Sequence, residues 1–358
     1  MTLRIALIGD GDSPHLLKWA RALHPLVDLH VVSSRGFAPG FDDFLPADRR
    51  LALKEATRFE GGNAHLLARL PAMSAWLRRV DPDWLAPHYL TSHGTLAWLA
   101  VRLFRVRARI AGSAWGSDIL VAPERSRVLH WLTRRVLAAC ALTTSDSRAM
   151  AQRMRALGAT EVMTFPFGVE TLPPLAVDKD EALFFANRGL EPIYAPLRVL
   201  EVFASLSRAW PQARLVVAND GSLLDALRQR AQAPDLAGRV EFVGRLTTAA
   251  QAQFYARARW FLSLPRSDSM SVSVLEAMSH GAIPILSDLP ANRELVADGD
   301  NGLILADGEC PGRERLAPLI ARAPAVGARC RQWVADNALF PVSVQAYVAR
   351  LESLNLQP

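Results

Sequence analysis

Short apolar runs alternate along this chain with longer segments in which apolar residues recur every three or four positions. LRIALIG (3–9) ends in Gly-Asp-Gly-Asp-Ser-Pro and passes into HLLKWARALHPL, where Leu16, Trp19, Ala20 and Leu23 stand at i, i+3, i+4 and i+7. That order predicts a buried strand, a loop and an amphipathic helix. The alternation recurs as LHVVSS and a helix near 63–79, WLAPHYL and TLAWLAVRLF, ARIAGSAWGSD and an Arg-rich helix over 125–139, ALTTSDS and MAQRMRALG, and finally EVMTFPFG. Strands alternating with helices specify parallel sheets covered on both faces. TLPPLAVDKDEA (171–182) interrupts the rhythm with two prolines and a charge run, as a linker does. A second series then begins: LFFANR, helix 197–210, ARLVVAND, helix 222–233, RVEFVGR, helix 248–259, WFLSLP, helix near 271–280, AIPILSD, helix 292–298 and NGLILA. This predicts a second doubly wound sheet, of six strands.

The tail from 340, FPVSVQAYVARLESL, reads as a helix beyond the last strand, and no short-period repeat is present. The expected organisation is α/β: a Rossmann-like domain over 1–170, a linker over 171–182, a second Rossmann-like domain over 183–339, and a C-terminal helix over 340–358 that crosses back to the first domain. Two such domains in tandem set a cleft between two rows of strand carboxyl ends, where ligands of open α/β sheets bind.

Composition narrows the class. With 358 residues, 50% apolar and 21% charged, the chain has material for two ordinary globular domains. Its 21 Gly and 23 Pro are near average usage, which excludes collagen-like and low-complexity classes. Cys140, Cys310 and Cys330 are odd in number and spaced unlike a disulfide framework or a zinc site. The opening MTLRIALIGDGD is too short an apolar run for a signal segment, and no stretch reaches about 18 uncharged apolar residues, so a cytoplasmic placement is expected. Charge is uneven. Residues 1–170 hold 22 Lys+Arg against 15 Asp+Glu, net +7, which leaves net −1 of the total +6 for the remainder. Eight arginines (102, 105, 107, 109, 125, 127, 134, 135) stand between 102 and 135, interleaved with Leu103, Phe104, Leu129, Trp131 and Leu132. A basic face of that kind predicts peripheral attachment to an anionic membrane surface, although arginine is also this chain's default solvating cation, lysine occurring only at 18, 54 and 179.

Three motifs carry candidate chemistry. Gly9-Asp10-Gly11-Asp12-Ser13-Pro14-His15 is a strand-to-helix loop with two of the three glycines of a dinucleotide fingerprint, Pro14 occupying the third position. It disfavours NAD, yet Gly11 lets the backbone approach a ligand and His15 is a candidate polar contact. Asp-x-Asp occurs at 10–12, 81–83, 178–180 and 298–300, too often to mark a metal site. Pro265-Arg-Ser-Asp268-Ser269-Met270-Ser271-Val272-Ser-Val-Leu-Glu276 is the sharpest. Asp268 follows an apolar strand and precedes a helix, with Ser269 and Ser271 in N-cap company, so free backbone N–H groups and the positive helix end face an anion such as a diphosphate. The eight residues from Asp268 to Glu276 are expected to span two helical turns, about 12 Å, comparable to the reach from a sugar across a diphosphate to a ribose.

This stretch, with SDLPANRELVADGDNGLIL after it, resembles the acid-x7-Glu signature of the family-4 retaining glycosyltransferases of GT-B fold. SPHLLKWARAL, PDWLAPHYLTSHG, GSAWGSDIL, TTSDSRAMAQRMRALGA, FPFGVE, ANDGSLLDAL and VEFVGRL are similar to that family in order and spacing, so the resemblance covers essentially the whole chain. It implies transfer of a sugar, typically a hexose, from a UDP- or GDP-linked donor with retention of configuration and without a required metal or cofactor. The second domain would hold the donor and the first the acceptor. It implies further that Glu276 binds the ribose hydroxyls, that Ser269, Met270, Ser271 and Val272 meet the diphosphate and sugar through their backbone, that Asp268 meets sugar hydroxyls, that Gly244, Arg245 and Leu246 line the base, and that Arg188 binds the diphosphate. Asp268 stands where members commonly have Glu. The Lys expected after Arg188 is replaced by Ile193 and Tyr194, leaving Arg198 or Arg266 to substitute, and Trp115 stands where many members have a donor-site His. His88, His93 and Asp118 are then the nearest polar candidates in the first domain, Asp118 and His88 for catalysis and His15, His93 and Trp115 for the sugar or acceptor. The expected function is a glycosyltransferase of surface polysaccharide, glycolipid or glycan assembly, with no nucleic-acid partner. The rival readings are a nucleotide-sugar-binding protein without transferase activity and an NAD(P) oxidoreductase.

Overall fold

The computed structural model describes residues 2–55, 63–174 and 178–356, so residues 175–177 of the predicted linker lie outside the described residues. The chain divides into two units, residues 1–165 with 340–358, and residues 166–339.

The first unit is built on seven parallel strands: β1 (Arg4–Gly9), β2 (Asp28–Ser33), β3 (Arg50–Ala52), β4 (Trp84–Pro87), β5 (Arg109–Ser113), β6 (Leu142–Ser145) and β7 (Val162–Thr164), in the order β3-β2-β1-β4-β5-β6-β7. β1 is central and pairs Ile8 with Val32 of β2 on one side and with Pro87 of β4 on the other. It is buried from Ile5 to Gly9, because helices cover both sheet faces, and this is why it reads as an unbroken apolar run. The order reverses between β1 and β4, which makes their carboxyl ends the switch point where open α/β sheets bind ligands. The C-terminal helix Phe340–Asn355 belongs to this unit. Trp19 meets Phe340 and Tyr347 edge-on, with ring centroids 5.1 and 5.5 Å away, and Arg350 makes a bidentate pair with Glu161 at 2.5 and 2.9 Å.

The second unit has six parallel strands: β8 (Asp180–Ala186), β9 (Arg214–Ala218), β10 (Val240–Gly244), β11 (Ala258–Ser263), β12 (Ile283–Ser287) and β13 (Leu303–Leu305), in the order β10-β9-β8-β11-β12-β13. Its switch point lies between β8 and β11, whose register sets Phe184 beside Trp260 and Phe185 beside Phe261. Phe184 stacks on Trp260 at 5.9 Å and Trp210 and Phe203 close around them. One glycine here is demanded by close approach: a Cβ on Gly168 would lie 1.8 Å from the Ala338 carbonyl oxygen, where Val169 N–H also bonds.

Several expected elements differ. The segment near 63–79 is a 3-10 stretch, Asn63–Arg69, followed by the helix Leu70–Val80, because Pro71 is accepted only in a first turn. The Arg-rich helix starts at Arg127, where the Ser126 hydroxyl accepts from Leu129 N–H. The helix expected over 292–298 is a single turn, Asn292–Leu295. β3 and the long helix Ala323–Asn337 were not expected at all. Among the described residues no helix is long and apolar enough to cross a membrane.

Candidate active site

In the second unit the switch point gathers the sharpest motif. Arg188 leaves β8 and Asp268 lies in the loop after β11. The guanidinium donates from Nη2 to Asp268 Oδ2 at 2.7 Å, and from Nη1 to the hydroxyls of Ser271 at 2.6 Å and Ser273 at 3.3 Å. Its Cζ sits 4.5 Å from the Tyr194 ring centroid, a cation–π contact, while Arg188 Nε is buried without a hydrogen-bond partner. Tyr194 is carried by a short turn ending at Ala195, whose φ of 46° is unusual for a residue with a Cβ. Arg266 N–H donates to Ile193 O at 2.9 Å and so ties the two loops together. Arg198 instead reaches the carbonyls of Leu305 and Ala306. Of the two cations considered as substitutes for the missing Lys, Arg198 is therefore engaged elsewhere, and Arg266 is exposed beside the site.

Asp268 is partly buried. Desolvation pushes its pKa up, Arg188 and the Ser269 N–H at 3.0 Å pulling it back. Ser271 is the cap residue of the helix Val272–Ser279, but its hydroxyl does not accept from the helix backbone. It is held by Arg188 and by Ser273 at 2.9 Å. The expected N-cap role of Ser271 is thereby corrected: the arginine has taken its oxygen, and the N-cap residue makes no side-chain cap. The expected two-turn span is corrected as well. The helix begins at Val272, so only about 6 Å of helical rise separates its start from Glu276, and Asp268 through Ser271 form a loop. Met270 is buried in the core below that loop.

Glu276 Oε2 accepts from the Tyr255 hydroxyl at 2.9 Å and from Gln251 Nε2 at 3.1 Å. Asn187, the residue before Arg188, donates from Nδ2 to the same hydroxyl at 2.7 Å, and its Oδ1 is buried without a partner. Asn219 continues the chain outward: its Nδ2 donates to Asn187 O at 3.1 Å and its N–H to Gly244 O at 2.6 Å. Gly244 takes φ 68° at the end of β10, with Arg245 exposed after it and Leu246 packed against the core. Sequence reading missed Tyr255, Gln251, Asn187, Asn219 and Ser273. The i, i+4 spacing of Gln251 and Tyr255 was the one available signal.

In the first unit the candidates also collect at the switch point. Both oxygens of the fully buried Asp118 accept backbone N–H groups, from Leu90 at 2.8 Å and Trp115 at 2.9 Å, which pins the loops after β4 and β5 together; burial pushes this carboxyl up to about 6. His93 bonds the His88 carbonyl through Nδ1 at 2.8 Å and Ser34 Oγ through Nε2 at 3.0 Å, and Ser34 in turn bonds Asp10. His88 is buried between Trp19, edge-on at 4.9 Å, and Trp115 at 5.6 Å. Neither of its ring nitrogens has a partner, and burial pushes its pKa down to about 3. The exposed His15 lies over Trp115 at 5.0 Å. Gly11 is required by close packing: a Cβ there would lie 2.6 Å from the Gly36 carbonyl, so the residue admits the 33–37 loop.

Two all-parallel, doubly wound units in tandem are the architecture of the GT-B class of fold, and comparisons with known proteins place this chain in it. Residues 4–147 match the family model described as glycosyl transferase 4-like, and residues 171–322 match glycosyl transferases group 1. The chain belongs to the GT-B glycosyltransferases. It is 25% identical over 158 residues to alpha-monoglucosyldiacylglycerol synthase of Streptococcus pneumoniae, covering 44% of this chain and 35% of that protein. It is 30% identical over 175 residues to GDP-mannose:cellobiosyl-diphosphopolyprenol alpha-mannosyltransferase of Xanthomonas campestris, covering 46% and 40%. The chain thus spans about two fifths of the length of the curated relatives it matches. Anabaena Alr3699/HepE in complex with UDP and glucose superimposes with a TM-score of 0.77 at 15% identity, over 98% of this chain and all of that one. The oxidoreductase and non-catalytic readings are not favoured.

His88 generates a stability prediction. Its folded pKa of about 3 lies below the ordinary 6.5, so folding favours the neutral ring and this group's stability is present above pH 6.5 and lost as pH falls toward 3. Asp118 works in the opposite sense between about 6 and 3.8. The difference between the parent and His88→Phe therefore isolates the histidine. We expect the variant to lose less thermal stability than the parent between pH 6.5 and 4, and parallel curves would refute this.

Proposed function

We propose that the chain is a retaining, metal-independent glycosyltransferase that moves a sugar from a UDP- or GDP-linked donor to a hydroxyl acceptor in glycolipid or lipid-linked glycan assembly. The observation that carries this reading is the meeting, at one switch point, of the Arg188 guanidinium, with a buried N–H still unsatisfied, and a helix start whose N-cap residue makes no side-chain cap. Both place positive potential where a diphosphate would gather negative charge as it leaves. In the transfer the bond from the anomeric carbon to the diphosphate breaks, the acceptor oxygen bonds that carbon from the same face, and the acceptor proton passes to the departing phosphate oxygen. Asp268 is the carboxylate beside the anomeric carbon. Ser269 to Val272 offer backbone N–H groups to the diphosphate, Glu276 takes the ribose diol, and Gly244 to Leu246 border the base. In the first unit Trp115, His15, His88 and His93 face sugar or acceptor, and Asp118 holds the Trp115 loop in place.

The two relatives named above, a monoglucosyldiacylglycerol synthase and a cellobiosyl-diphosphopolyprenol mannosyltransferase, carry lipids in their names, which supports a lipid-linked acceptor. A basic, partly apolar face supports peripheral attachment to the cytoplasmic side of a membrane. Arg102, Arg105, Arg107, Arg125, Arg127, Arg134 and Arg135 are exposed, and among them stand Leu103, Val128 and Trp131, exposed by 63%, 71% and 51%. Arg135 lies 5.6 Å over Trp131. Arg109 is not part of this face, since it stacks on Trp84 and bonds Leu354 O.

The two acids have different expected roles. Asp268→Asn should lower kcat by a factor on the order of 100 with little change in nucleotide affinity, because the charge acts as the sugar becomes cationic. Glu276→Gln should raise the donor KM and weaken UDP or GDP with kcat less affected, since ribose binding is uniform through the reaction. Steady-state kinetics with calorimetric titration checks both, and equal losses of nucleotide affinity with kcat preserved would reduce Asp268 to a loop brace.

For the membrane face, vesicle sedimentation at low salt should show binding to anionic bilayers that falls with added salt, each cation near the surface contributing about 1 kcal/mol. Equal sedimentation with neutral and anionic vesicles would contradict it.

A further inference from the structure

Behind Glu276 lies a hydrogen-bond chain whose polarity is determined throughout. A carboxylate only accepts, so the single proton of the Tyr255 hydroxyl, 2.9 Å away, points to Glu276 Oε2. The lone pairs of that hydroxyl then receive Asn187 Nδ2 at 2.7 Å and Gln251 Nε2 at 3.0 Å, and Gln251 also donates to Glu276. The phenol is held in place from every side. Its ring packs against Phe185 at 5.4 Å, Phe261 at 5.8 Å and His280 at 5.8 Å, and Lys179 Nζ donates to the Tyr255 carbonyl at 2.8 Å and the Ala258 carbonyl at 2.9 Å, closing the end of the helix Thr248–Arg257. Burial and the neighbouring carboxylate keep the hydroxyl protonated well above its ordinary range.

We propose that Tyr255 is a positioning residue for the donor nucleotide: with Asn187 and Gln251 behind it, its hydroxyl holds the Glu276 carboxylate in a single orientation before the ribose arrives. This rests on the reading of Glu276 as the ribose acceptor. A glutamate side chain has several rotatable bonds, and ordering them on binding weakens affinity; a carboxylate already oriented by two donors avoids that cost. The same chain runs on through Asn219 to Gly244, so the ribose acceptor and the loop assigned to the base are set by one continuous ladder.

The test is calorimetric titration of the parent, Tyr255→Phe, Glu276→Gln and the double variant with UDP, GDP and their 2′-deoxy counterparts, together with donor KM and kcat. Phenylalanine keeps the ring packing and removes only the hydroxyl. We expect Tyr255→Phe to weaken the preferred ribonucleotide about tenfold, to leave the 2′-deoxynucleotide within about twofold, to raise KM with kcat nearly constant, and to add nothing to Glu276→Gln. Gln251→Met, which removes the second donor, should shift affinity in the same direction. Equal weakening of both nucleotides, or additive losses in the double variant, would overturn the positioning role. If Glu276→Gln itself does not distinguish ribose from deoxyribose, or the parent binds neither nucleotide, the reading of Glu276 falls, and the inference with it.

Discussion

The second unit is organised around one partly buried positive charge. A guanidinium carries five N–H donors and no acceptor, so Arg188, placed at the end of β8, draws acceptors from the elements around it. The loop after β11 supplies them through Asp268 and Ser271, the first turn of the next helix adds Ser273, and Tyr194 covers the remaining face. This requirement explains features that look unfavourable alone. Ser271 does not cap its helix because its oxygen serves the arginine, and Ala195 adopts a left-handed conformation that places Tyr194 over the charge. Strain of that kind, about 1–3 kcal/mol per residue, persists where surrounding contacts impose it.

Rigidity behind the site comes from the helix Ala323–Asn337. Gly327 passes so close to Gly281 that a Cβ would lie 2.5 Å from the Gly281 carbonyl, and Arg331 donates to Ser279 O at 2.7 Å, meeting the last turn of the site helix with a cation. The site helix is thus supported at its carboxyl end and open to an anion at its amino end. The first unit follows the same topological rule with different chemistry. Its switch point gathers imidazole and indole rings and carboxylates already engaged with hydroxyl or backbone donors.

Most of the fold was legible because fully buried strands are short apolar runs, and LRIALIG, ARLVVAND and WFLSLP could be recognised individually. What escaped has physical causes. β3 is three half-buried residues with no alternation, and the helix Ala323–Asn337 lies in a segment carrying Pro311, Gly312, Pro318, Pro324 and Gly327, which read as breakers. In the site, Asp268 and Glu276 were singled out by the strand, loop and helix pattern around them, and Arg188 by a resemblance. Tyr255, Asn187 and Asn219 were not, since each acts by donating to a residue distant in sequence, and such pairs leave no spacing to read. The packing of the 33–37 loop against Gly11 was not legible either, because a glycine that admits a neighbouring loop looks like any other along a chain.

The most direct test of the central claim is calorimetric titration of the parent and of Arg188→Met with UDP and GDP alongside UMP and GMP. The parent should bind one diphosphate well and its monophosphate much more weakly. Arg188→Met should lose roughly ten- to a hundredfold in affinity for the diphosphate, the worth of one charge-assisted contact, while affinity for the monophosphate hardly changes. Unchanged diphosphate affinity in Arg188→Met, or equal affinity of the parent for mono- and diphosphate, would contradict the assignment of this switch point to the donor.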